Sequence, residues 1–227
     1  MRKQITLAMD SSGQTLLVGT RIGEKIYTLR QTGIKQEQFF LPLLERVLAK
    51  TGANINDIGK VFFVRGPGRF TGIRISLTFA SMMQSLNGSK VGSATSFEIL
   101  YEQVQNSLHF VKWKEENKQG VVAVVLHAFR EEYFLQYFDE EKVGPQWLSK
   151  GELLQKLAAY KRPLYITGTD KDNTALVNLL GDKYHLAPLA DGRVRIETLL
   201  AMAENPIYEK NALEPLYLKP ARFELGK

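Results

Sequence analysis

The stretch that decides the fold runs from Lys60 to Asn87 and reads KVFFVRGPGRFTGIRISLTFASMMQSLN. It opens with the uninterrupted apolar run Val61–Val64, which is typical of a strand buried on both faces. Two glycines then flank a proline, so the backbone can reverse direction sharply. Thr71 is predicted as the N-cap of a helix that continues from Ile73, because its hydroxyl can accept from a first-turn N–H. The stretch therefore predicts a strand, a glycine turn and a helix.

The predicted helix lacks the charged face of an ordinary surface helix, because it carries no charged residue from Ile75 to Asn87. Leu77 and Ala80 are expected to pack on the sheet. The remaining large apolar residues cannot all share that side and need another cover; they are Phe79, Met82, Met83 and Leu86. Two interpretations stay open, a helix buried within its own domain and a surface that binds a partner protein.

Composition indicates a globular protein of one large or two small domains. The chain has 227 residues, of which 44% are hydrophobic, and no apolar run approaches the roughly 20 residues of a membrane span. The amino terminus enters a strand pattern without a signal sequence, so we expect a cytoplasmic protein with no membrane partner. The absence of cysteine excludes disulfides, thiolate nucleophiles and cysteine metal sites.

The net charge of +6 permits contact with nucleic acid but does not demand it. Lysines and arginines are scattered along the chain, and no basic stripe is interleaved with aromatic residues. We therefore expect a solvated basic surface, and any RNA role would be shared with partners.

The order of predicted elements is βββαβαβ, and it occurs twice. In the first copy, three antiparallel strands precede an amphipathic helix over 35–51, the stretch above and a short strand at Val91. The second copy begins with a hairpin at Val121–Phe138 and ends near Leu186, with weak third and last strands. This duplication predicts two α/β lobes side by side. The charged segment Lys112–Gln119 shows no apolar period, so we predict an exposed connection there. It sets the boundary, giving lobes of 1–111 and 112–227, the second with a carboxy-terminal helix and an extended tail.

The glycine turn fails both common nucleotide-binding patterns. A P-loop needs a second glycine followed by lysine, but Thr71 and Ile73 stand five residues after Gly66 and Gly68. The dinucleotide fingerprint requires a glycine where Thr71 is, and no acidic ribose ligand follows. Backbone N–H groups ahead of a helix still favour an anion, so a phosphate contact stays open beside a purely structural turn.

Other candidate chemistry is incomplete. Asp10, Ser11 and Ser12 lie in a hairpin where phosphotransfer enzymes with this element order hold phosphate and metal; the alternative is a polar β-turn. The three histidines show no metal-ligand spacing, and no G-x-S-x-G elbow supports a serine nucleophile. We expect no catalytic residue, metal site or cofactor.

The segment Gly66–Ile75 closely resembles the G-P-G-S-F-T-G-L-R-I signature of the TsaB (YeaZ) family, whose members help make threonylcarbamoyladenosine in tRNA. Three shorter segments extend the resemblance. Ala8–Ser12 is similar to the family's A-I-D-T-S, Glu37 with Leu41–Leu44 to H-S-E-x-L-L-P-x-I, and Pro215–Leu218 to P-x-Y-L.

The resemblance implies a duplicated actin-like ATPase fold, as in the Hsp70/sugar-kinase superfamily, without a working nucleotide and metal site. It further implies a non-catalytic partner of the TsaD-type paralogue, joined by a TsaE-type ATPase, meeting tRNA indirectly and forming a homodimer when alone. The implied interface lies on the two helices at Glu37, Phe40, Leu41, Leu44, Ile75, Phe79, Met82, Met83 and Leu86. The signature loop, with its open anion or nucleotide contact, comprises Gly66, Pro67, Gly68, Arg69, Phe70, Thr71, Gly72 and Arg74.

This chain departs from the family pattern at several positions. Lys35-Gln36-Glu37 lacks the histidine and serine, Arg69 replaces serine and Ser76 replaces glycine. The family's D-A-R-R appears as His127–Arg130, without the aspartate and one arginine, so the resemblance does not carry an interfacial nucleotide over to this chain. A rival hypothesis remains an ATPase or phosphotransferase that uses Asp10 and the glycine loop. A protease-like activity is disfavoured, because the paired histidine motif it needs is missing.

Overall fold

The computed structural model describes residues 5–33 and 35–219, which form two units, each built on a five-stranded mixed sheet. The first unit contains the chain up to Ser96 together with Arg195–Leu216. The second contains Phe97–Val194 and the chain from Tyr217 onward. The predicted boundary after residue 111 differs from this division. In the structure the first unit ends at Ser96 and also includes the later segment Arg195–Leu216.

The first unit follows the predicted element order. Its strands and helices are β1 (Ile5–Asp10), β2 (Thr15–Ile22), β3 (Lys25–Thr32), α1 (Gln36–Thr51), β4 (Ile58–Val64), α2 (Phe70–Asn87) and β5 (Lys90–Ala94). The sheet order is β3-β2-β1-β4-β5; β1 to β3 are antiparallel, and β1, β4 and β5 are parallel.

The second unit repeats this arrangement. Its elements are α3 (Ser96–Gln105), α4 (Leu108–Glu116), β6 (Val121–Phe129), β7 (Glu132–Phe138), β8 (Gln146–Ser149), α5 (Lys150–Ala159), β9 (Leu164–Thr167), α6 (Asp170–Leu180) and β10 (His185–Leu186). Helix α7 (Ile196–Met202) follows and belongs to the first unit. The sheet order β8-β7-β6-β9-β10 places the strands as in the first unit. The predicted duplicated α/β fold, with two units of the same strand order, is confirmed.

Each unit has its own apolar core. In the first, α1 and α2 cover the sheet, and their rings meet where Phe40 and Phe79 lie 5.0 Å apart, edge to face. In the second, the core is built on the apolar residues of β6, β7 and β9, with α5 and α6 supplying leucines. Within the described ranges, no helix is both long and apolar enough to cross a membrane.

Two local predictions were wrong. Helix α2 begins at Phe70 with Arg69 as its N-cap, so Thr71 lies inside the first turn and caps nothing. The segment Lys112–Gln119 is largely helical, because α4 packs Phe110 and Trp113, one turn apart, against the ring of Tyr165. The three-residue spacing of Phe110 and Trp113 places both rings on one apolar face of α4, a pattern that the many charged residues around them made hard to recognise.

Candidate functional site: the glycine loop and the exposed faces of two helices

The glycine loop between β4 and α2 rests directly on the hairpin that joins β1 and β2. The Arg69 N–H donates to the Ser12 carbonyl oxygen at 2.7 Å. The buried Ser11 hydroxyl donates to the Gly72 carbonyl oxygen at 2.6 Å, and its oxygen lies 2.5 Å from that of Ser76. The β1–β2 hairpin, which the sequence offered as a possible phosphate site, therefore contacts the start of α2 through its backbone and Ser11.

Close backbone approach explains the glycines of the loop. A Cβ added at Gly72 would lie 1.8 Å from the Ser11 carbonyl oxygen, and one at Gly68 would lie 2.6 Å from that of Ser12. Real Cβ atoms do not come this near to backbone oxygens. The glycine spacing that resembles a nucleotide loop is thus required by packing against the hairpin.

The other side of the loop contacts the carboxy-terminal segment of the first unit. The Leu216 N–H donates to the Arg65 carbonyl oxygen at 2.8 Å, and the Arg65 guanidinium donates to the Glu214 carbonyl oxygen at 3.2 Å. Gly66 has a φ of +115°, and a Cβ there would lie 2.7 Å from the Leu216 carbonyl oxygen. Segments that are far apart in the sequence, the hairpin, the loop and the tail, therefore meet at one place.

Gln36 connects α1 to the β1–β2 hairpin, a contact that its sequence position did not predict. Its buried side chain donates to the Gly13 carbonyl oxygen at 2.9 Å. The side-chain oxygen of Gln36, Oε1, would lie 3.3 Å from a Cβ added at Gly72. A polar residue at a helix start is usually exposed, so its sequence position offered no signal of this contact.

Asp10 is used inside the hairpin. It is buried, and its Oδ1 accepts from the Ser12 N–H at 2.8 Å and from the Ser12 hydroxyl at 2.7 Å. Burial raises the pKa of this carboxyl, and the two hydrogen bonds from Ser12 oppose that shift. No group of three or more acidic, histidine or cysteine side chains suited to a metal occurs among the described residues.

The predicted interface residues separate into a buried group and an available group. Phe40, Leu44, Phe79 and Met83 are at most 4% exposed and belong to the core of the first unit. The sheet and the neighbouring helix cover these four side chains, so they do not contribute to the exposed surface of the two helices.

The available group lies on the outer faces of α1 and α2. Leu86 is 81% exposed, Leu41 54% and Met82 38%; Glu37 is exposed and Ile75 is partly buried. Phe70, 57% exposed, adds an aromatic ring over which the Arg74 guanidinium lies at 5.1 Å. Phe39 of α1 is also exposed. Together these side chains form a largely apolar surface with Glu37 and Arg74 as its charged members, which we call the helix face.

Comparison with known proteins supports the resemblance seen in the motifs. Residues 34–107 match the family model of TsaD, tRNA N6-adenosine threonylcarbamoyltransferase. The chain is 23% identical over 229 residues to the tRNA threonylcarbamoyladenosine biosynthesis protein TsaB of Bacillus subtilis strain 168, covering 96% of this chain and 95% of that protein. It is 24% identical over 212 residues to TsaB of Buchnera aphidicola subsp. Acyrthosiphon pisum, covering 88% and 90%.

Another TsaB, from Buchnera aphidicola subsp. Schizaphis graminum, is 26% identical over 134 residues, and that match spans only 59% of this chain and 60% of the relative. The fold has counterparts among solved structures. One from Pseudomonas aeruginosa, described as an uncharacterized protein with similarity to peptidase YeaZ, superposes with a TM-score of 0.71 at 18% identity. YeaZ from Pseudomonas aeruginosa superposes with a TM-score of 0.67 at 18% identity. Both alignments cover 95% of this chain and 100% of the other. In its motifs, over nearly its whole length and in its fold, the chain is similar to proteins of the TsaB (YeaZ) family.

Proposed function

We propose that this protein is a partner of a TsaD-type threonylcarbamoyltransferase in the formation of threonylcarbamoyladenosine in tRNA. The relatives that match over nearly the whole chain carry the name of that biosynthesis, and the family-model match carries the name of the transferase. In this proposal the TsaD-type paralogue performs the transfer in the cytoplasm, a TsaE-type ATPase joins through the complex, and tRNA is met indirectly.

The role is non-catalytic, and one observation carries this part of the proposal. The backbone of Gly72 lies so close to Ser11 that the hairpin and the start of α2 leave no space for a phosphate between them. Asp10, the residue on which the rival ATPase hypothesis depends, directs an oxygen to Ser12 within the same hairpin. This packing supports a scaffold role, in which the β1–β2 hairpin positions α2 and does not bind a ligand.

The helix face is the docking surface in this proposal. Helix α2 exposes large apolar side chains at Met82 and Leu86 but has no charged residue after Arg74. Apolar surface of this kind is removed from water when a partner covers it. The same face would pair two copies of the chain in the absence of the paralogue.

The proposal is tested by co-expressing the chain with the TsaD-type paralogue of the same genome and measuring both copurification and threonylcarbamoyladenosine in tRNA. We expect Met82→Asp and Leu86→Asp each to reduce both readouts. Ile207→Asp is the matched control, since Ile207 is a 62% exposed apolar residue of the same unit outside the helix face. Unchanged copurification of the two helix-face variants would contradict the docking surface.

The non-catalytic role has its own measurement. The isolated chain should show no Mg-dependent ATP hydrolysis above that of an Asp10→Asn variant. Turnover that this substitution abolishes would establish the rival enzyme.

A further inference from the structure

The second unit carries a group of aromatic and acidic side chains on the sheet face that turns away from its own core. Along β7, Tyr133 and Leu135 face the core, so the alternating residues Glu132 and Phe134 face the other way. Cross-strand partners share a face, and Trp147 of β8 pairs with Phe134.

Phe129 joins this face by the same rule. It lies at the end of β6, where it pairs with Glu132 across the hairpin. The strand register therefore brings two aromatic rings and one carboxylate together, those of Phe129, Trp147 and Glu132. We call these three side chains the cage.

The ammonium group of Lys219 occupies the cage. Its Nζ lies 5.2 Å from the centroid of the Trp147 ring and 5.5 Å from that of Phe129. The same atom lies 2.5 Å from Glu132 Oε2. The side chains of Lys219 and Glu132 are 32% and 29% exposed, so the ion pair is partly withdrawn from water.

The chemistry of the cage selects an organic cation. The faces of aromatic rings carry partial negative charge and attract an ammonium within about 6 Å of the centroid. The carboxylate accepts a charge-assisted hydrogen bond from a primary ammonium. An anionic ligand offers no positively charged donor for this bond. A neutral or anionic ligand lacks the positive charge that all three groups attract.

We propose that Phe129, Trp147 and Glu132 form a binding site for alkylammonium groups whose resident ligand is Lys219, so that the cage holds the segment Tyr217–Lys219 on the second unit. The site lies apart from the helix face in the sequence and does not depend on the proposed function. Its loss would free the segment around Tyr217 and Leu218 without changing the sheet beneath.

Release of this segment can be measured by limited proteolysis. Chymotrypsin cleaves after Tyr217 or Leu218 only when the backbone there is freely accessible, and mass spectrometry identifies the released peptide. We expect Lys219→Met, which keeps the aliphatic stem and removes the charge, to raise the cleavage rate by about five- to tenfold. Lys210→Met, at an exposed lysine earlier in the same segment, should leave the rate unchanged. Equal rates for Lys219→Met and the unsubstituted chain would overturn this proposal.

The cation site itself can be tested by chemical rescue. In a Trp113→Phe background Trp147 is the only tryptophan, so its fluorescence reports on the cage. We expect n-butylammonium chloride to change this fluorescence saturably in Lys219→Ala, with sodium chloride at equal ionic strength as the control. In Lys219→Ala with Glu132→Gln, binding should be at least about fivefold weaker. The same response in both variants, or in neither, would overturn the site.

Discussion

Helices α2 and α6 hold the same position in the two units, between the fourth and fifth strands, yet they are stabilised in opposite ways. Helix α6 begins with a capping box, in which Thr169 accepts from the Asp172 N–H and the Asp172 carboxylate accepts from the Thr169 N–H. Helix α2 has no side-chain cap and begins at a backbone packed onto Ser11. Its outer face carries no charged residue after Arg74, whereas α6 carries charged residues in its first turn.

The difference separates a helix whose start is stabilised by its own residues from one whose start is held by contacts with a distant segment. A capping box stabilises a helix through its own sequence, and the helix needs little from its surroundings. The start of helix α2 instead makes contacts with the distant β1–β2 hairpin, at Ser11 and Ser12. A rigidly placed apolar face is what a docking partner requires, and the predictions below test this contrast.

The largest effect is expected where α2 enters the core. Phe79→Asp should lower the free energy of unfolding by more than about 4 kcal/mol, because it removes a buried ring and leaves an unpaired carboxylate. Met82→Asp, three residues along on the outer face, should change it by less than about 0.5 kcal/mol. Urea denaturation followed by circular dichroism measures both. Similar losses for the two variants would mean that the outer face is not free.

The next effect tests the close approach of α2 to the hairpin. Gly72→Ala should cost about 3 kcal/mol or more, because its Cβ would overlap the Ser11 carbonyl oxygen. Gly151→Ala in α5 is the matched change in the second unit, where nothing lies within 4 Å of the added atom. It should stabilise the protein by about 0.5 to 1 kcal/mol. Thermal unfolding of both variants distinguishes a required glycine from a permitted one.

A smaller effect separates the two helix starts. Thr169→Ala removes the N-cap of α6 and should cost about 1 kcal/mol. Thr71→Ala, at the residue that the sequence marked as the N-cap of α2, should change stability by less than about 0.5 kcal/mol. A cost at Thr71 equal to that at Thr169 would restore the original assignment and contradict the helix start at Phe70.

The smallest effect depends on pH and concerns the hairpin under α2. The pKa of Asp10 is raised in the folded state, so the carboxyl binds its proton more strongly there than in the unfolded chain. The unsubstituted protein therefore loses stability as pH rises from the ordinary value of about 4 through the raised pKa. Asp10→Asn keeps an oxygen for Ser12 and has no such loss.

The gain in stability of Asp10→Asn should thus be largest at neutral pH and disappear in acid. Denaturation curves at several pH values measure it. A variant that is less stable than the unsubstituted chain at neutral pH would show that the charge is needed in the hairpin.

The duplicated fold could be predicted from the sequence because it depends on strand and helix periodicity, which is local. The Val61–Val64 strand and the amphipathic α1 are examples. The first residues of the helices were harder to predict from the sequence. Helix α2 begins before Thr71, because tertiary contact with Ser11 replaces a side-chain cap. The division into units involves the return of Arg195–Leu216 to the first sheet, which no local pattern specifies.

The site was predicted as segments but not as an arrangement. The motifs identified the loop, the hairpin and the tail, yet only the structure shows that Gly72 packs on Ser11 and Gly66 on Leu216. Sequence spacing could not tell which apolar residues of α2 face the core. Phe79 and Met82 lie three positions apart, yet Phe79 is 4% exposed and packs on the ring of Phe40, whereas Met82 is 38% exposed.

The central claim is that the outer face of α2 binds a TsaD-type paralogue, and isothermal titration calorimetry with the purified paralogue tests it most directly. The Met82→Asp/Leu86→Asp double variant should remain folded and bind at least about a hundredfold more weakly than the unsubstituted chain, since two buried apolar contacts would be replaced by unpaired charges. The Ile207→Asp variant should bind with unchanged affinity. Equal affinity of the double variant and the unsubstituted chain would contradict the account.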